Sequence, residues 1–453
     1  MSDTIAAVAT GQTVCAIGIV RVSGPRAIEL AGALFRPSSG KAMSTYSDRK
    51  LVYGSLADFD GRVIDWCLCT VSRGPGSYTG EDTAEFQCHG SPVVLRQVLE
   101  ALFAMGARQA GPGEFTRRAF LNGRMDLTSA EAVADIIDAE SAEAAKNAAG
   151  QLGGAIQKKA DAIYSALTDI CAHYHAVLDY PDEDIEDFTL EKYKAVFSDA
   201  AGQLKCLLDS FSRGRVMRGG VPAVIVGRPN AGKSSLMNAL LGYDRAIVTD
   251  IPGTTRDTIE EKVRLGGVTL RLIDTAGICC ADDAIEKLGV ERSMKALKDA
   301  QLAIAVVDGS AVASSEDEKI VSEAMTAPKC LVVISKKDLG SAGGFQPPAG
   351  VPFVTVSSLT GEGLGELEKA VGDMFPLPAV PAGEILTNAR QADAVSRALE
   401  SLQAAQNAMD EGVTPDAVLT ETEEAMAALG SLTGKNVGED VTNRIFSRFC
   451  VGK

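Results

Sequence analysis

The sequence predicts a protein of the α/β plus α class, in which a doubly wound nucleotide-binding domain is inserted into a helical domain. The N-terminal region mixes short apolar strands with helices and glycine-rich loops, and alanine-rich helical segments occupy the middle and the C-terminal end. Between them, short apolar strands alternate with helices, which is typical of a parallel sheet covered on both faces. We therefore predict an N-terminal domain over residues 1–120, a discontinuous helical domain over residues 121–219 and 377–453, and an inserted domain over residues 220–376.

The composition is that of a globular protein with an acidic surface. Of 453 residues, 46% are hydrophobic and 23% are charged, and 44 Lys and Arg face 60 Asp and Glu, giving a formal charge of −16. A chain this acidic is not expected to coat nucleic acid or an anionic membrane through its overall charge. Any contact with nucleic acid must therefore come from a local patch or from a partner subunit.

The chain is expected to be cytoplasmic, with no contact to a membrane. Its longest apolar run, Leu302 to Val307, is far shorter than the ~20 residues of a spanning helix. No Lys or Arg precedes Arg21, so no signal peptide is predicted. The ten cysteines are scattered, which suits a reducing compartment. Cys67 and Cys69 lie two residues apart on one predicted strand, so both face the same side of it. They are interpreted as core thiols, because no second pair of cysteines lies at the spacing that a zinc site needs.

Hydrophobic periodicity places the elements of the first half of the chain. Strands are predicted over Ala16 to Val22 and Val63 to Val71, and a helix over Val93 to Met105. Thr128 and Glu131 have the spacing of a capping box and predict a helix start. Apolar residues from Leu152 to Val177 step by threes and fours, which predicts one long helix. A second helix is predicted around Phe197, Leu204, Leu208 and Phe211.

The inserted domain is predicted to begin after Gly219 and Gly220. Its strands are expected at five short apolar segments: Ala223 to Val226, Val268 to Ile273, Leu302 to Val307, Leu331 to Ile334 and Phe353 to Val356.

The first of these strands leads into a phosphate-binding loop. Gly227-Arg228-Pro229-Asn230-Ala231-Gly232-Lys233-Ser234 fits G-x-x-x-x-G-K-[ST] and opens a predicted helix, Ser235 to Leu241. The glycines let backbone N–H groups curl around phosphate oxygens, and the helix N-terminus adds a partial positive charge. Lys233 is expected to reach the β and γ phosphates, and the Ser234 hydroxyl to bind Mg²⁺.

Two further segments complete the predicted phosphate and magnesium site. Asp274-Thr275-Ala276-Gly277 follows a strand, where the carboxylate can organise Mg²⁺ through water and the glycine N–H can reach the γ phosphate. Thr249-Asp250-Ile251-Pro252-Gly253-Thr254-Thr255-Arg256-Asp257 is a candidate switch segment, and Thr255 is a suitable second Mg²⁺ ligand.

The predicted base-binding loop favours GTP. Ser335-Lys336-Lys337-Asp338 follows a strand, and the Asp338 carboxylate can accept both N–H groups of the guanine edge. The usual motif is Asn-Lys-x-Asp, so Ser335 replaces an asparagine, which puts nucleotide affinity in question. Ser357 lies in the segment expected to back the base. Ile278 stands where Ras-like switches carry the glutamine that orients the attacking water, and an isoleucine cannot do so. A nearby carboxylate is therefore expected to orient the water, and a monovalent cation to neutralise the charge that develops during hydrolysis.

Together these motifs resemble the MnmE (also TrmE) family of bacterial tRNA-modification GTPases over essentially the whole chain. The matching stretches are GIVRVSG (18–24), SYTGED (77–82), GPGEFTRRAFLNGRMDL (111–127), GRPNAGKSSLMN (227–238), TDIPGTTRD (249–257) and FSRFCVGK (446–453). The nucleotide motifs alone would fit several GTPases, whereas the N-terminal stretches together with FCVGK are specific to this family.

The resemblance implies a homodimer with a folate-binding-like N-terminal domain, a discontinuous helical domain and an inserted Ras-like G domain. It implies a heterotetramer with an FAD-dependent partner of the MnmG type. Together the two proteins would add an aminomethyl or carboxymethylaminomethyl group to C5 of the wobble uridine (U34) of certain tRNAs. The one-carbon unit would come from 5-formyl- or methylene-tetrahydrofolate.

The resemblance also implies roles for individual residues. The folate-site positions are Arg21, Glu85, Arg124 and Lys453. The potassium-site positions are Asn230, Thr249, Ile251 and Thr254. Glu286 matches the carboxylate proposed to orient water, with a solvated helix charge as the alternative, and Cys450 matches the cysteine implicated in modification, with a packing thiol as the alternative. Arg108, Arg117, Arg118 and Arg124, opposed within their segment by Glu114 alone, are interpreted as an anion site for folate or tRNA, with a solvated loop as the alternative.

Two other functions remain open at this stage. A ribosome-assembly switch GTPase of the Era or Der type would share the nucleotide motifs and modify nothing. A folate enzyme with a vestigial GTPase would lack an intact phosphate loop, and Lys233, Ser234 and Asp274 argue against it.

Overall fold

The structure is a computed structural model of the chain, and it describes residues 3–11, 13–179, 190–243, 261–273, 297–340, 345–376, 381–436, 438–447 and 449–452. The chain divides into two compact units. The first comprises Met1–Ala134, Ala149–Leu204 and Asp393–Lys453, and the second comprises Asp135–Ala148 and Lys205–Ala392.

The first unit is built on a seven-stranded sheet. Its strands are β1 (Ile5–Val8), β2 (Cys15–Ser23), β3 (Phe35–Pro37), β4 (Val52–Ala57), β5 (Val63–Ser72), β6 (Thr83–Gly90) and β7 (Arg108–Gln109). They are ordered β3-β4-β5-β6-β2-β1-β7, and every pair is antiparallel except β1 with β7. The associated helices are α1 (Ala27–Leu34), α2 (Pro92–Ala104) and α3 (Glu114–Leu121). The two strands and the helix predicted in this region are confirmed as β2, β5 and α2.

Cys67 and Cys69 are buried in the core beneath this sheet. Side chains alternate along a strand, so residues two apart share a face. Cys67, Cys69 and Val71 of β5 accordingly share one hydrophobic cluster with Phe86 and Cys88 of β6. The prediction that Cys67 and Cys69 are buried on one face of a strand is confirmed.

Four helices follow: α4 (Leu127–Ile137), α5 (Ala142–Leu152), α6 (Ala155–Asp179) and α7 (Leu190–Gly219). The predicted capping box at Thr128 is wrong, because α4 begins one residue earlier and the Asp126 carboxylate accepts the N–H groups of Thr128 and Ser129, each at 3.1 Å. The predicted single helix from Leu152 is interrupted before Ala155 by Gly153 and Gly154, which has a φ of +79°. The second predicted helix is confirmed as α7.

The second unit is built on a six-stranded sheet. Its strands are β8 (Val221–Gly227), β9 (Glu261–Leu265), β10 (Val268–Leu272), β11 (Leu302–Asp308), β12 (Lys329–Ser335) and β13 (Phe353–Thr355), and its helices include α8 (Lys233–Tyr243), α9 (Ser315–Ala324) and α10 (Leu364–Met374). The order is β13-β12-β11-β8-β10-β9, parallel except for β9 at one edge. The five predicted strands are present. The sixth, β9, is not predicted by the sequence, because its segment mixes charged and apolar residues and has no continuous apolar run.

Both faces of this sheet are buried, as a doubly wound fold requires. Ile304 of β11 joins Leu236 of α8 and Leu367 of α10 in one hydrophobic cluster. Its neighbour Ala305 joins Val321 of α9 in another cluster. Alternate residues of one strand therefore pack against different helices, which explains the continuous apolar runs in the sequence.

Three further helices end the chain: α11 (Ala389–Asp410), α12 (Pro415–Thr433) and α13 (Glu439–Phe446). In the first unit, α12 packs against α6, and the Cys171 and Met426 sulfurs lie 3.7 Å apart. Phe446 and Phe449 pack with Leu127 of α4. No helix in the described part of the chain is long and apolar enough to cross a membrane.

Candidate functional site

The phosphate-binding loop joins the end of β8 to the start of α8. Gly227 ends the strand, and a Cβ added there would lie 2.4 Å from the carbonyl oxygen of Val306. Asn230 and Gly232 adopt positive φ angles of +61° and +95°. The first glycine is therefore required by the close approach of β11, and the second by a left-handed backbone turn.

Lys233 crosses this loop. Its ammonium group donates to the carbonyl oxygens of Gly227 at 2.8 Å and Arg228 at 2.7 Å. Ser234 and Ser235 follow in the first turn of α8, where backbone N–H groups lack helical acceptors. The curled loop, the lysine and the helix start form a donor set that fits a phosphate chain, and Ser234 adds a hydroxyl suited to Mg²⁺.

An ion pair that the sequence did not predict connects the loop to α9. The Arg228 guanidinium donates to the Asp317 carboxylate at 2.6 Å, and Asp317 is buried. Asp317 is also the third residue of a capping box with Ser314 at the start of α9. Its carboxylate therefore holds both the helix start and the second residue of the phosphate loop.

Ser335 ties the base-binding loop to the phosphate loop. Its side chain is buried and its hydroxyl oxygen lies 2.6 Å from the carbonyl oxygen of Ala231 and 3.1 Å from that of Val307. A Cβ on Gly232 would lie 3.3 Å from the same hydroxyl oxygen. The serine thus makes a direct link between the loop expected to bind the base and the loop expected to bind phosphate.

The rest of the base-binding loop is held by side-chain contacts. Lys336 has a φ of +59°, and its ammonium donates to Asp308 at 2.7 Å. Burial would raise the pKa of Asp308, but hydrogen bonds from Lys336 and Ser310 lower it below its usual value. The Ser357 hydroxyl donates to the Asp338 carboxylate at 2.6 Å. The two residues predicted to face and back the base are therefore adjacent.

Several predicted site residues lie outside the described residues. These are the switch segment 249–255, the magnesium-associated segment 274–277, Glu286 and Lys453. Their predicted roles stay predictions. Of the predicted potassium ligands, the described one is Asn230, whose positive φ places it at the turn of the phosphate loop.

The N-terminal candidate site centres on an ion pair across two strands. Arg21 of β2 and Glu85 of β6 are register partners, and the guanidinium Nε lies 2.8 Å from the carboxylate. The guanidinium also lies over the rings of Tyr78 and Phe115, at 5.4 and 5.6 Å from their centroids. The structure therefore brings two predicted folate-site residues together and adds two aromatic side chains to them.

Arg124 lies beside the same SYTGED segment that carries Tyr78. A Cβ on Gly80 would approach the Arg124 Cγ to 3.3 Å, so the glycine makes room for the stem of this side chain. Gly80 has a φ of +78°, which also favours glycine.

The interpretation of the basic cluster as an anion site is wrong for two of its four arginines. Arg108 pairs with Asp3 at 2.6 Å and Glu114 at 2.7 Å. Arg118 pairs with Asp3 at 2.7 Å and Glu81 at 2.9 Å. Asp3 and Glu81 lie far from these arginines in the sequence, so the segment 108–124 looks basic by itself. In the folded protein their carboxylates neutralise Arg108 and Arg118.

Residues 450–451, near the C-terminus, lie along the segment before α3. Pro112 and Val451 form an antiparallel bridge, and the Gly113 N–H donates to the carbonyl oxygen of Cys450 at 3.2 Å. Cys450 is exposed. The segment 112–115 therefore connects the predicted cysteine to Phe115, the ring beneath Arg21.

The chain matches known proteins over its whole length. A family model described as the GTP-binding protein TrmE N-terminus matches residues 4–124, and a model described as the MnmE helical domain matches residues 127–450. A protein of Symbiobacterium thermophilum named tRNA modification GTPase MnmE is 43% identical over 100% of this chain and 99% of its own length. A protein of the same name from Roseiflexus sp. is also 43% identical, over the same shares. A crystal structure of Era with MgGDPNP and nucleotides of 16S ribosomal RNA is 27% identical over 40% of this chain and 65% of its own, with a TM-score of 0.27.

Proposed function

The chain belongs to the MnmE family of tRNA modification GTPases and is a GTP hydrolase, and from this premise we propose that it modifies the wobble uridine of certain tRNAs. With an FAD-dependent partner of the MnmG type, it would add an aminomethyl or carboxymethylaminomethyl group to C5 of U34. The one-carbon unit would come from 5-formyl- or methylene-tetrahydrofolate. The working form would be a homodimer within a cytoplasmic heterotetramer.

The nucleotide would bind across the two linked loops. Lys233 would exchange its carbonyl partners for the β and γ phosphates, and Ser234 and Thr255 would hold Mg²⁺, which neutralises charge on the phosphates when bound. Asp338 would accept the guanine edge, with Ser357 holding its carboxylate. This assignment is supported by the Ser335 bond, which sets the spacing between the two loops.

Hydrolysis would depend on K⁺ and on contact between two G domains. Asn230, Thr249, Ile251 and Thr254 would form an oxygen cage for the ion, whose charge replaces that of an arginine finger. Glu286 would orient the attacking water. The position of Asn230 at the left-handed turn of the phosphate loop supports this part of the proposal, because its side chain would offer an oxygen ligand there.

Folate would bind in the N-terminal unit beside the residues around Cys450. Arg21, Arg124 and Lys453 would supply cationic groups for the folate carboxylates, and Glu85 would accept pterin N–H groups. The observation that supports the proposal is the backbone hydrogen bond from the Gly113 N–H to the Cys450 carbonyl oxygen, which joins the segment of the cysteine to the one that carries Phe115, the ring under Arg21. Cys450 would then act on the same substrate that the folate serves.

The decisive experiment is mass spectrometry of wobble uridines in tRNA from a deletion strain. We expect the modified uridine to be lost, to return with the wild-type gene, and to stay absent with Cys450→Ser. Cys206→Ser, which also removes an exposed thiol, is the matched control and should restore modification. Unchanged tRNA together with a defect in ribosomal subunits would instead favour the Era- or Der-type switch.

A further inference from the structure

A second cluster of reactive side chains lies in the N-terminal sheet, away from the Arg21–Glu85 pair. Strands β5 and β6 pair with Leu68 opposite Gln87, so Cys67 and Cys88 are the next opposed pair in this register. Asp65 precedes Cys67 by two residues and shares its face of β5. One ligand atom each from Asp65, Cys67 and Cys88 lies within 4.8 Å of the other two.

This spacing is close to that of a metal centre. Ligand atoms ~2.0–2.3 Å from a tetrahedral zinc ion lie about 3.3–3.8 Å from each other. Displacements of less than about 1 Å per atom would therefore bring the three side chains onto one ion, which rotations about the χ1 angles can supply.

The carboxylate of the cluster is already oriented. The Trp66 N–H donates to one Asp65 oxygen at 2.8 Å, and the His89 N–H donates to the other at 2.8 Å. The His89 Nδ1 lies 2.8 Å from the first oxygen. Carboxylates that bind a metal are themselves held by hydrogen bonds from neighbouring groups, and His89 would serve Asp65 in this way.

The cluster reaches from the core to the surface. Cys67 is 5% and Cys88 1% exposed, whereas the side chain of Asp65 is 10% and that of His89 75% exposed. A hydrogen bond with Cys67 and burial raise the pKa of Cys88. The exposed end of the cluster provides an entry route for an ion, and the buried end provides soft ligands.

We propose that Asp65, Cys67 and Cys88 bind a thiophilic divalent cation of the zinc class, with His89 holding the carboxylate ligand. Each thiol loses its proton to solvent as its sulfur binds the ion, so two thiolates and one carboxylate would surround the divalent cation and leave the occupied site with one negative charge. Two sulfurs and one oxygen favour Zn²⁺ over Mg²⁺ or Ca²⁺, which prefer oxygen alone. The ion would bridge the two central strands of the sheet, and it takes no part in the proposed folate chemistry.

The test uses the full-length protein, prepared with reductant and freed of metal, and titrated with Co²⁺ as a spectroscopic substitute for Zn²⁺. We expect a thiolate-to-cobalt charge-transfer band that saturates at one ion per chain and is displaced by Zn²⁺. Cys67→Ser and Cys88→Ser should each lose most of it. His89→Ala should keep the band but bind about 10- to 100-fold more weakly, the usual cost of losing a group that orients a ligand.

Cys69→Ser is the matched control, because Cys69 lies on the same face of the same strand, is fully buried, and is not one of the three ligands. It should keep the full band, and thermal melting confirms that each variant is folded. The exposed thiols of Cys15, Cys206 and Cys450 are retained in every variant, so any band from them persists throughout.

Three results would overturn the proposal. One is the absence of a charge-transfer band in the reduced wild-type protein. Another is an equal loss of the band in Cys69→Ser and Cys67→Ser. The third is a band that Mg²⁺ displaces as readily as Zn²⁺ does.

Discussion

Ser335 departs from the usual guanine-binding motif and makes a buried contact with the phosphate loop. The residue replaces the asparagine usual in the guanine-binding motif, and the sequence alone suggested a loss of affinity. Its buried hydroxyl instead bonds the carbonyl oxygen of Ala231 in the phosphate loop. The base-binding loop and the phosphate loop are therefore linked directly through this serine.

Removing this hydroxyl should weaken nucleotide binding. We expect Ser335→Ala to raise the Kd for GDP by about fivefold, because one neutral hydrogen bond contributes about 1 kcal/mol. Fluorescence titration with a labelled GDP measures the change. Thr326→Ala removes a hydroxyl bonded to a backbone carbonyl outside both loops and should leave the Kd unchanged. Equal Kd values for Ser335→Ala and wild type would mean that this bond does not position the loops.

The Arg21–Glu85 pair makes a second prediction at the scale of single residues. Glu85→Ala should abolish measurable binding of 5-formyltetrahydrofolate in calorimetry, because it removes the acceptor for pterin N–H groups and leaves Arg21 without its partner. Glu29→Ala breaks an exposed ion pair with Arg26 in the same domain and is the control. Equal affinity in Glu85→Ala and the control would remove Glu85 from the folate site.

At the scale of elements, a charge network joins three segments of the N-terminal unit. Asp3 precedes β1, Arg108 lies on β7 and Arg118 lies on α3. Asp3 bonds both arginines, and Glu114 of α3 also bonds both. The arginines that gave the sequence a basic segment therefore hold the edge strand and the helix together.

This network predicts a dependence of stability on pH. Hydrogen bonding to Arg108, with Arg118 in addition, lowers the pKa of Asp3 from 3.8 to about 2. A group whose pKa is lower in the folded state adds stability above its unfolded pKa and loses it as pH falls through the folded value. Wild type should therefore be more stable than Asp3→Asn above pH ~4, and the difference should shrink towards pH ~2. Urea unfolding across this range measures it, and a difference that does not change with pH would contradict the assignment.

At the scale of the whole molecule, the net charge of −16 limits how tRNA can be approached. With Arg108 and Arg118 committed to carboxylates, the N-terminal unit offers less free positive charge than its sequence suggests. A cationic surface for the tRNA backbone is then better sought on the proposed FAD-dependent partner. Under the proposed function, this chain would hydrolyse GTP and supply the one-carbon unit, and Cys450 would act on the uridine.

The hydrolysis step supplies a prediction for the complete protein. GTP turnover should be much faster in KCl than in NaCl at matched ionic strength, because the smaller ion fits the proposed oxygen cage poorly. Glu286→Ala should lower kcat by about 100-fold, a loss typical of removing one group that stabilises a transition state, while GTP binding is retained. Equal rates in the two salts would exclude a potassium-dependent site, and full activity of Glu286→Ala would assign the water to another group.

The phosphate-binding loop and the main strands could be predicted from the sequence by itself. The phosphate loop is contiguous, so Gly227 to Ser234 could be identified from spacing alone, and continuous apolar runs revealed strands buried on both faces. The edge strand β9 was not predicted, because it is not buried on both faces and so lacks a continuous apolar run.

Only the tertiary structure decided which distant residues meet. Ser335 reaches Ala231, and Cys88 lies opposite Cys67, although nothing in the local pattern of either pair indicates its partner. Asp3 neutralises arginines more than a hundred positions away in the chain. The physical reason is that local spacing governs turns, caps and strand faces, whereas register between strands and packing of loops depend on how the whole chain closes its cores.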